Sequence, residues 1–152
     1  MTDWKDDAEN IVCPGRIKVP YTWSVGETGS RFFVTLREDK EIWGTRCRAC
    51  GRVYVYPVRT CPECFIKTEE WVKVKNTGTL ESFTVVHYTH SMHPLAAPLV
   101  YGLIRLDGAD GALLHLLGNV KPEELKAGLR VKAVFAEERE GSIMDIKFFA
   151  PA

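Results

Sequence analysis

Three features of the sequence predict a mainly β fold built in two parts. Two C-x-x-C pairs stand ten residues apart in the first half of the chain, and the stretch between them is rich in β-branched and aromatic residues. A helical pattern precedes these pairs. The second half contains five short segments of strand-like, largely alternating sequence with a short helical stretch before the fourth. Together they predict an N-terminal helix, a rubredoxin-like ribbon and then a five-stranded barrel of the OB kind.

The first part of the chain, residues 1–27, predicts an extended arm. Two prolines and a glycine between residues 13 and 23 disfavour a helix there. Ile17, Val19, Tyr21 and Trp23 would form an exposed apolar stripe, so we expect the arm to lie along this protein or along a partner. The acidic start lacks the apolar run of a signal peptide, and none is expected.

Residues 28–68 are predicted to form one module, a helix over residues 28–40 followed by the ribbon. Phe32, Phe33 and Leu36 fall at helical spacing. A helix of this length is marginal in water by itself. Its aromatic face is therefore expected to pack on the ribbon, on the arm or on another subunit.

The two C-x-x-C pairs are the strongest chemical signal in the sequence. Cys47 with Cys50, and Cys61 with Cys64, can aim four sulfurs at one point, which is the tetrahedral geometry that Zn²⁺ accepts. Gly51 stands where such a knuckle needs a positive φ. Four thiolates leave no open position, so the predicted zinc is structural. Iron in the same sulfur cage, a pair of disulfides and a redox pair are the alternatives.

Residues 69–152 are predicted to form the barrel domain. An alternating stretch at 71–75 comes first, and the five barrel strands are expected at 79–88, 99–106, 112–117, 130–135 and 142–149. A helix of one or two turns is expected at 121–128, with proline early and glycine at its end. The basic residues of this domain are candidate anion-binding groups. They are Lys73, Lys75, Arg105, Arg130 and Lys132, and the alternative for each is a solvated outer face.

Three histidines recur at every third position in one loop of the barrel. His87, His90 and His93 lie between the first two strands, in a segment without a carboxylate to orient them. His90 and His93 are candidates for contact with a ligand or partner, and a second metal site is an alternative for this loop. The leading interpretation is that they are plain loop residues. His115 lies within an apolar strand and is expected to be a hydrogen-bonded core histidine.

Composition and charge narrow the function classes. The chain has 152 residues, 45% of them hydrophobic, and its 20 Lys and Arg residues balance its 20 Asp and Glu residues. Dedicated nucleic-acid binders are usually basic, so this balance counts against a nucleic-acid partner. No apolar run reaches transmembrane length, and no membrane association is expected. Thiolates free to bind metal imply a reducing compartment, here taken as the cytoplasm.

Four stretches of the sequence together resemble a known family. They are TRCRACGR at 45–52, CPEC at 61–64, GTLESFTVV at 78–86 and PEELKAGLRV at 122–131. Residues 28–150 are thereby similar to the zinc-ribbon/OB-fold proteins associated with acyl-coenzyme A metabolism. Members of that family pair with thiolase-fold enzymes or with hydratase-like ones. The resemblance is taken to imply a non-catalytic accessory subunit of a thiolase-fold enzyme, which docks through its helix and ribbon. It also implies that the barrel helps to hold a coenzyme A thioester, in pathways such as the degradation of aromatic or steroid acids.

Two other functions compete with this interpretation. Ribbons and OB barrels also bind single-stranded nucleic acids, with aromatics such as Phe83, Tyr88 and Tyr101 as stacking platforms. An independent enzyme acting at the histidine loop is the third hypothesis. It has little support, because Cys13 lies in the predicted arm, the other cysteines are assigned to metal and no G-x-S-x-G motif is present.

Overall fold

The computed structural model describes Val12, residues 21–91, residue 93 and residues 95–152. The predicted arm therefore lies mostly outside the described residues, as does Cys13. Residues 21–25 have no regular secondary structure, and the side chains of Tyr21 and Trp23 are largely exposed. In the described part of the chain, no helix combines the length and the apolar character needed to cross a bilayer.

Helix α1 spans Gly26–Asp39 and begins two residues before the predicted start. Phe32 and Leu36 are its buried residues, as the helical spacing indicates, while Phe33 is half-buried. The helix ends at Lys40, which adopts the left-handed conformation and donates its backbone N–H to the carbonyl of Thr35. The buried face of α1 packs against the strand that follows.

A three-stranded antiparallel sheet follows the helix, with strand order β2-β1-β3. Its strands are β1 (Ile42–Arg46), β2 (Val53–Tyr54) and β3 (Glu70–Val74). The four cysteines lie in the loop between β1 and β2 and in the long connection between β2 and β3. The strand predicted at 71–75 thus pairs with β1 over five residues, from Ile42 opposite Val74 to Arg46 opposite Glu70.

The second part of the chain forms a closed five-stranded barrel with strand order β4-β5-β6-β8-β7. The strands are β4 (Thr77–Val86), β5 (Leu99–Leu106), β6 (Ala112–Leu117), β7 (Arg130–Phe135) and β8 (Ile146–Pro151). Antiparallel pairing of β4 with β7 and a parallel contact of β6 with β8 complete the barrel. The predicted fold class is confirmed: mainly β, with a helix and a four-cysteine ribbon before an OB-type barrel.

Two local predictions in the barrel differ from the structure. The helix expected at 121–128 is a single 3-10 turn, Pro122–Glu124, because the following Leu125 turns extended and is buried in the core. The last strand begins at Ile146 rather than at residue 142. The buried carboxylate of Asp145 accepts the backbone N–H groups of Glu140 and Gly141, and these local bonds replace strand pairing.

One apolar core runs through both parts of the molecule. It joins Phe32 and Leu36 of the helix to Val53 of the ribbon sheet and to Leu80 and Phe149 of the barrel. Continuous packing of this kind fixes the orientation of neighbouring elements because interiors tolerate few voids. The four-cysteine region is therefore attached to the barrel through shared core contacts.

Candidate metal centre and basic groove

The two C-x-x-C segments fold into knuckles with the same backbone hydrogen bonds. In the first, the N–H of Gly51 donates to the carbonyl of Cys47 at 2.8 Å, and the Cys47 N–H donates to Arg52 at 2.9 Å. In the second, Phe65 donates to Cys61 at 2.9 Å. The residue four positions after the first cysteine takes a positive φ in both knuckles, 77° at Gly51 and 55° at Phe65. The expectation for Gly51 is confirmed.

The second knuckle also repeats the other backbone hydrogen bond of the first. The N–H of Cys61 donates to the carbonyl of Ile66 at 2.9 Å, as Cys47 donates to Arg52. This repeated geometry points the two cysteines of each knuckle toward the other pair. We call residues 47–67, which contain both knuckles, the metal lobe.

The four sulfurs of Cys47, Cys50, Cys61 and Cys64 lie within 4.8 Å of one another. The Sγ atoms of Cys50 and Cys61 are 3.9 Å apart. A tetrahedral ion with bonds of 2.3 Å to sulfur requires sulfurs about 3.8 Å apart, so the spacing fits zinc. Among the described residues this is the one cluster of three or more metal-ligating side chains. The geometry and the all-thiolate donor set match a closed structural site.

The four ligands differ in their exposure to solvent. Cys47 and Cys61, the first residue of each pair, are fully buried, whereas Cys50 is exposed and Cys64 is half-buried. The centre therefore has one dry side and one side that reaches the surface. A chelator or an oxidant would reach Cys50 and Cys64 first.

The phenol of Tyr54 contacts the dry side of the cluster. Its Oη lies 3.2 Å from the Sγ of Cys61. This hydrogen bond and the one from the backbone N–H of Cys64 lower the pKa of the Cys61 thiol to about 7, although burial acts to raise it. The bond to Cys61 also raises the pKa of Tyr54. The hydrogen bond with Cys50 and desolvation raise the pKa of Cys64 to about 12 in the metal-free chain. Metal binding requires both thiols as thiolates.

The five basic candidates lie where β3 leads into one end of the barrel. Thr79 of β4 stands opposite Arg105 on one side and Arg130 on the other, and Thr77 stands opposite Lys132. Lys73 and Lys75 line a groove of about 550 Å³ between the end of α1 and the link from β3 to β4. The structure brings these five residues to one region, as side chains on an exposed face.

Three of these cations already have carboxylate partners. Arg105 pairs with Glu81 at 2.9 Å, and Lys73 pairs with Glu41. The guanidinium of Arg130 donates from both terminal nitrogens to the carboxylate of Asp107. The Arg130 side chain beside Asp107 holds the pKa of that carboxyl well below its usual range. Lys75 and Lys132 are exposed and form no ion pair with a described residue.

The histidine loop lies at the opposite end of β4. His90 and His93 approach each other, with ring centroids 6.0 Å apart, and the backbone N–H of His90 donates to Nδ1 of His93 at 3.3 Å. Thr79 and Val86 are seven positions apart along β4, which is about 23 Å at the rise of a strand. The structure therefore separates the predicted ligand residues into two groups, and they do not form a single site.

His115 is a core residue, as the apolar strand around it predicts. It is 5% exposed, its Nδ1 accepts the backbone N–H of Leu116 at 2.8 Å, and its Nε2 donates to the carbonyl of Ile143 at 3.1 Å. Burial lowers its pKa, because the charged imidazolium would lose its hydration.

Sequence reasoning missed three residues around the metal lobe. Tyr54 contacts a ligand sulfur, Phe65 holds a positive φ as an 82% exposed side chain, and Asp110 of the barrel accepts the backbone N–H of Val53 at 2.8 Å. A signal existed for Phe65, since it stands four residues after Cys61 as Gly51 does after Cys47. No local pattern indicates the contacts of Tyr54 or Asp110, because they cross 7 and 57 residues of sequence.

Helix, four-sulfur ribbon and closed five-stranded barrel define the class of a zinc-ribbon/OB-fold protein. Two family models match in that order: "ChsH2, rubredoxin-like zinc ribbon domain" over residues 36–69 and "ChsH2, C-terminal OB-fold domain" over residues 71–136. The chain belongs to the DUF35 family, of which ChsH2 is a member. The resemblance to zinc-ribbon/OB-fold proteins inferred from the sequence is confirmed.

Curated relatives are named DUF35 domain-containing scaffold proteins. The chain is 35% identical over 107 residues to the one from Methanocaldococcus jannaschii, covering 69% of this chain and 74% of that protein. It is 30% identical over 100 residues to the one from Methanothermobacter thermautotrophicus, covering 64% and 73% respectively.

Two solved structures share the fold. A DUF35 protein of Sulfolobus solfataricus superposes with a TM-score of 0.59 at 30% identity, over 72% of this chain and 78% of that one. A chain of the structure described as "Ltp2-ChsH2(DUF35) aldolase" superposes with a TM-score of 0.64 at 22% identity. The second match covers 86% of this chain and 98% of the other.

Proposed function

We propose that this protein is a non-catalytic accessory subunit of a thiolase-type enzyme that acts on acyl-coenzyme A. One observation carries the proposal: the fold matches nearly the whole of a chain from a structure described as an Ltp2-ChsH2 aldolase. The scaffold names of the curated relatives support the same role. The partner enzyme supplies the reacting groups, and this chain supplies a rigid surface beside them.

The chemistry of the described residues supports an accessory role. Cys47, Cys50, Cys61 and Cys64 would hold zinc in a closed site, where the ion cross-links the lobe and has no open position for substrate. His115 is buried and neutral in the core. A structural zinc also requires reduced thiols, which supports a cytoplasmic location as part of this proposal.

Docking is proposed to use the helix, the ribbon and the barrel face next to them. Tyr56 of the ribbon packs edge-on against Phe32 of the helix and borders a shallow apolar groove of about 170 Å³. Leu114 and Met144 line the same groove and are 60% and 40% exposed. Apolar side chains gathered on a barrel exterior are typical of surfaces that a partner covers.

The docking proposal is tested by reconstitution with thiolase-fold enzymes from the same organism. We expect a stable complex on gel filtration and enzyme activity that depends on this subunit. Leu114→Asp, on β6, should weaken the complex strongly, whereas Leu95→Asp, which places the same charge at a 56% exposed leucine between β4 and β5, should not. A chain that stays alone and leaves the enzyme fully active contradicts the accessory role.

Coenzyme A contact is proposed for the basic end of the barrel. Among the described residues neither Lys75 nor Lys132 has a carboxylate partner, so both are candidates to neutralise phosphate groups. Calorimetric titration of the complex with coenzyme A should show weaker binding for the Lys75→Ala, Lys132→Ala double variant. Lys126→Ala, an exposed lysine elsewhere on the barrel, is the control. Unchanged affinity in the double variant contradicts this site, and salt-dependent binding of single-stranded nucleic acid favours the competing function.

A further inference from the structure

The phenol of Tyr54 reaches the metal centre from the strand that joins the two knuckles. Its Oη lies 3.2 Å from the Sγ of Cys61, and that sulfur is fully buried. The backbone N–H of Cys64 approaches the same sulfur at 3.4 Å. Water has no access to Cys61, so the protein itself must provide the hydrogen-bond donors for this ligand.

The direction of the bond follows from the chemistry of a metal ligand. Cys61 binds metal as a thiolate, which has lone pairs and no proton to give. The hydroxyl of Tyr54 is therefore the donor. Four thiolates around a divalent ion carry two net negative charges, and a donor on the dry side of the site draws charge away from one sulfur. Outer hydrogen bonds of this kind orient ligands and tune the metal.

The backbone holds Tyr54 firmly in this position. It stands opposite Thr45 in the β1–β2 pair, and a Cβ atom on Gly44 would come within 2.6 Å of the Tyr54 carbonyl oxygen, so only glycine permits this approach. The preceding residue, Val53, exchanges two hydrogen bonds with Asp110 of the barrel, at 2.8 and 3.0 Å. Strand pairing on one side and the barrel on the other thus hold the backbone of Tyr54 so that its phenol stays against Cys61.

We propose that Tyr54 is a positioning residue of the metal centre, whose hydroxyl donates to the Cys61 thiolate and so strengthens metal retention. The inference goes beyond the accessory role and does not depend on it. It requires only that the four sulfurs hold the ion. Loss of the hydroxyl leaves the thiolate richer in electrons and less well stabilised against release of the metal.

The test uses the full chain with Tyr54→Phe, loaded with cobalt(II) as a spectroscopic substitute for zinc. We expect the sulfur-to-cobalt charge-transfer band to move to longer wavelength, because an electron-richer sulfur gives up charge more easily. Competition with a chromogenic chelator should show zinc affinity reduced by about 10- to 100-fold, the usual effect of removing an outer-shell partner. Tyr56→Phe is the matched control, since its ring packs on Phe32 and its hydroxyl bonds no sulfur in the described part of the chain.

A ring-fluorinated tyrosine at position 54 keeps the test decisive if the phenylalanine variant does not fold. Fluorination makes the phenol a stronger hydrogen-bond donor. At a pH below the pKa of the fluorinated phenol, the charge-transfer band should therefore move to shorter wavelength. A band that stays in place with both replacements, or an equal loss of affinity in Tyr56→Phe, overturns the proposal. A chain that takes up no metal also overturns it, and that result identifies the metal assignment itself as the error.

Discussion

The metal lobe and the barrel are stabilised by different means. Across residues 47–67 the buried side chains are Cys47, Val53, Val55 and Cys61, and all others are at least partly exposed. In the barrel, by contrast, a set of large side chains is completely excluded from solvent, including Leu80, Ile104, Val131, Ile146 and Phe149. A module with so small a core requires a cross-link, whereas the barrel is stabilised by apolar burial.

This difference indicates what each part of the molecule depends on. The metal supplies in the lobe what apolar packing supplies in the barrel, and the two are joined by the shared core and by the Val53–Asp110 hydrogen bonds. The lobe should therefore respond to metal and the barrel to cavities. Each part can be perturbed by itself, which tests this separation.

Removal of the metal should unfold the lobe and leave the barrel folded. Structural zinc in small modules provides an apparent binding free energy of about 10–16 kcal/mol, which the few buried side chains of the lobe cannot replace. Hydrogen exchange after chelator treatment, or in Cys47→Ser, should show lost protection across residues 47–67 and retained protection in β4 to β8.

The control for this experiment is Cys13→Ser, which leaves the four clustered sulfurs intact. Its metal content and exchange pattern should equal those of the wild type. Complete loss of barrel protection on metal removal would contradict the separation, because it would mean that the barrel folds only on a metal-bound lobe.

Leu80→Ala should have the reverse effect. Leu80 is 0% exposed in the barrel core, and truncating a buried leucine costs about 2–5 kcal/mol of stability. Denaturant unfolding should show this loss, while competition with a chelator should give unchanged metal affinity. Leu114→Ala, at 60% exposure, is the matched control and should change stability by less than about 0.5 kcal/mol. A large drop in metal affinity in Leu80→Ala would contradict independent stabilisation.

Asp110→Ala should weaken the link between the two parts. The substitution removes the carboxylate that accepts the Val53 N–H, at a cost of about 1 kcal/mol, and keeps the backbone bond that the Asp110 N–H donates to Val53. Calorimetry of the metal-loaded chain should show a broader transition, because the lobe and the barrel then unfold less cooperatively. Asp39→Ala, an exposed acidic residue at the end of α1, should leave the transition sharp. An unchanged transition in Asp110→Ala would show that core packing alone provides the coupling.

Sequence patterns predicted the elements whose causes are local. The C-x-x-C spacing identified a four-sulfur cluster, and the alternation of Val131 and Ala133 with Arg130 and Lys132 matches the observed burial in β7. The predictions for 121–128 and 142–145 missed because distant or side-chain contacts override propensity there. Leu125 is drawn into the core, and Asp145 binds its own loop.

The candidate ligand residues show where local reasoning stops. The sequence indicated that Arg105 and Arg130 are charged and exposed. It did not indicate their carboxylate partners, because Glu81 lies 24 residues from Arg105, Asp107 lies 23 residues from Arg130, and each pair meets only in the folded barrel. The same limit applies to Tyr54 and Asp110. The register of strand pairing determines which charges are neutralised, and the spacing of residues along the chain does not reveal that register.

Acidification should weaken the barrel through His115. Burial lowers the pKa of this histidine below its ordinary value of 6.5, so the folded chain keeps it neutral where the unfolded chain takes up a proton. Its contribution to stability is thus complete above about pH 6.5 and is lost as the pH falls from there toward the lower pKa of the folded state. The pKa of Asp107 is depressed as well, but its contribution to stability is lost only as the pH falls below the ordinary value of 3.8.

His115→Gln isolates this effect from acid release of the metal. Glutamine offers a donor to the Ile143 carbonyl and does not titrate, while the four thiolates are the same in both chains. The difference in unfolding free energy between wild type and variant should therefore be constant above about pH 6.5 and should shift in favour of the variant as the pH falls below it. Parallel pH profiles would mean that His115 takes up no extra proton on unfolding, and the acid sensitivity of the molecule would then arise from other groups.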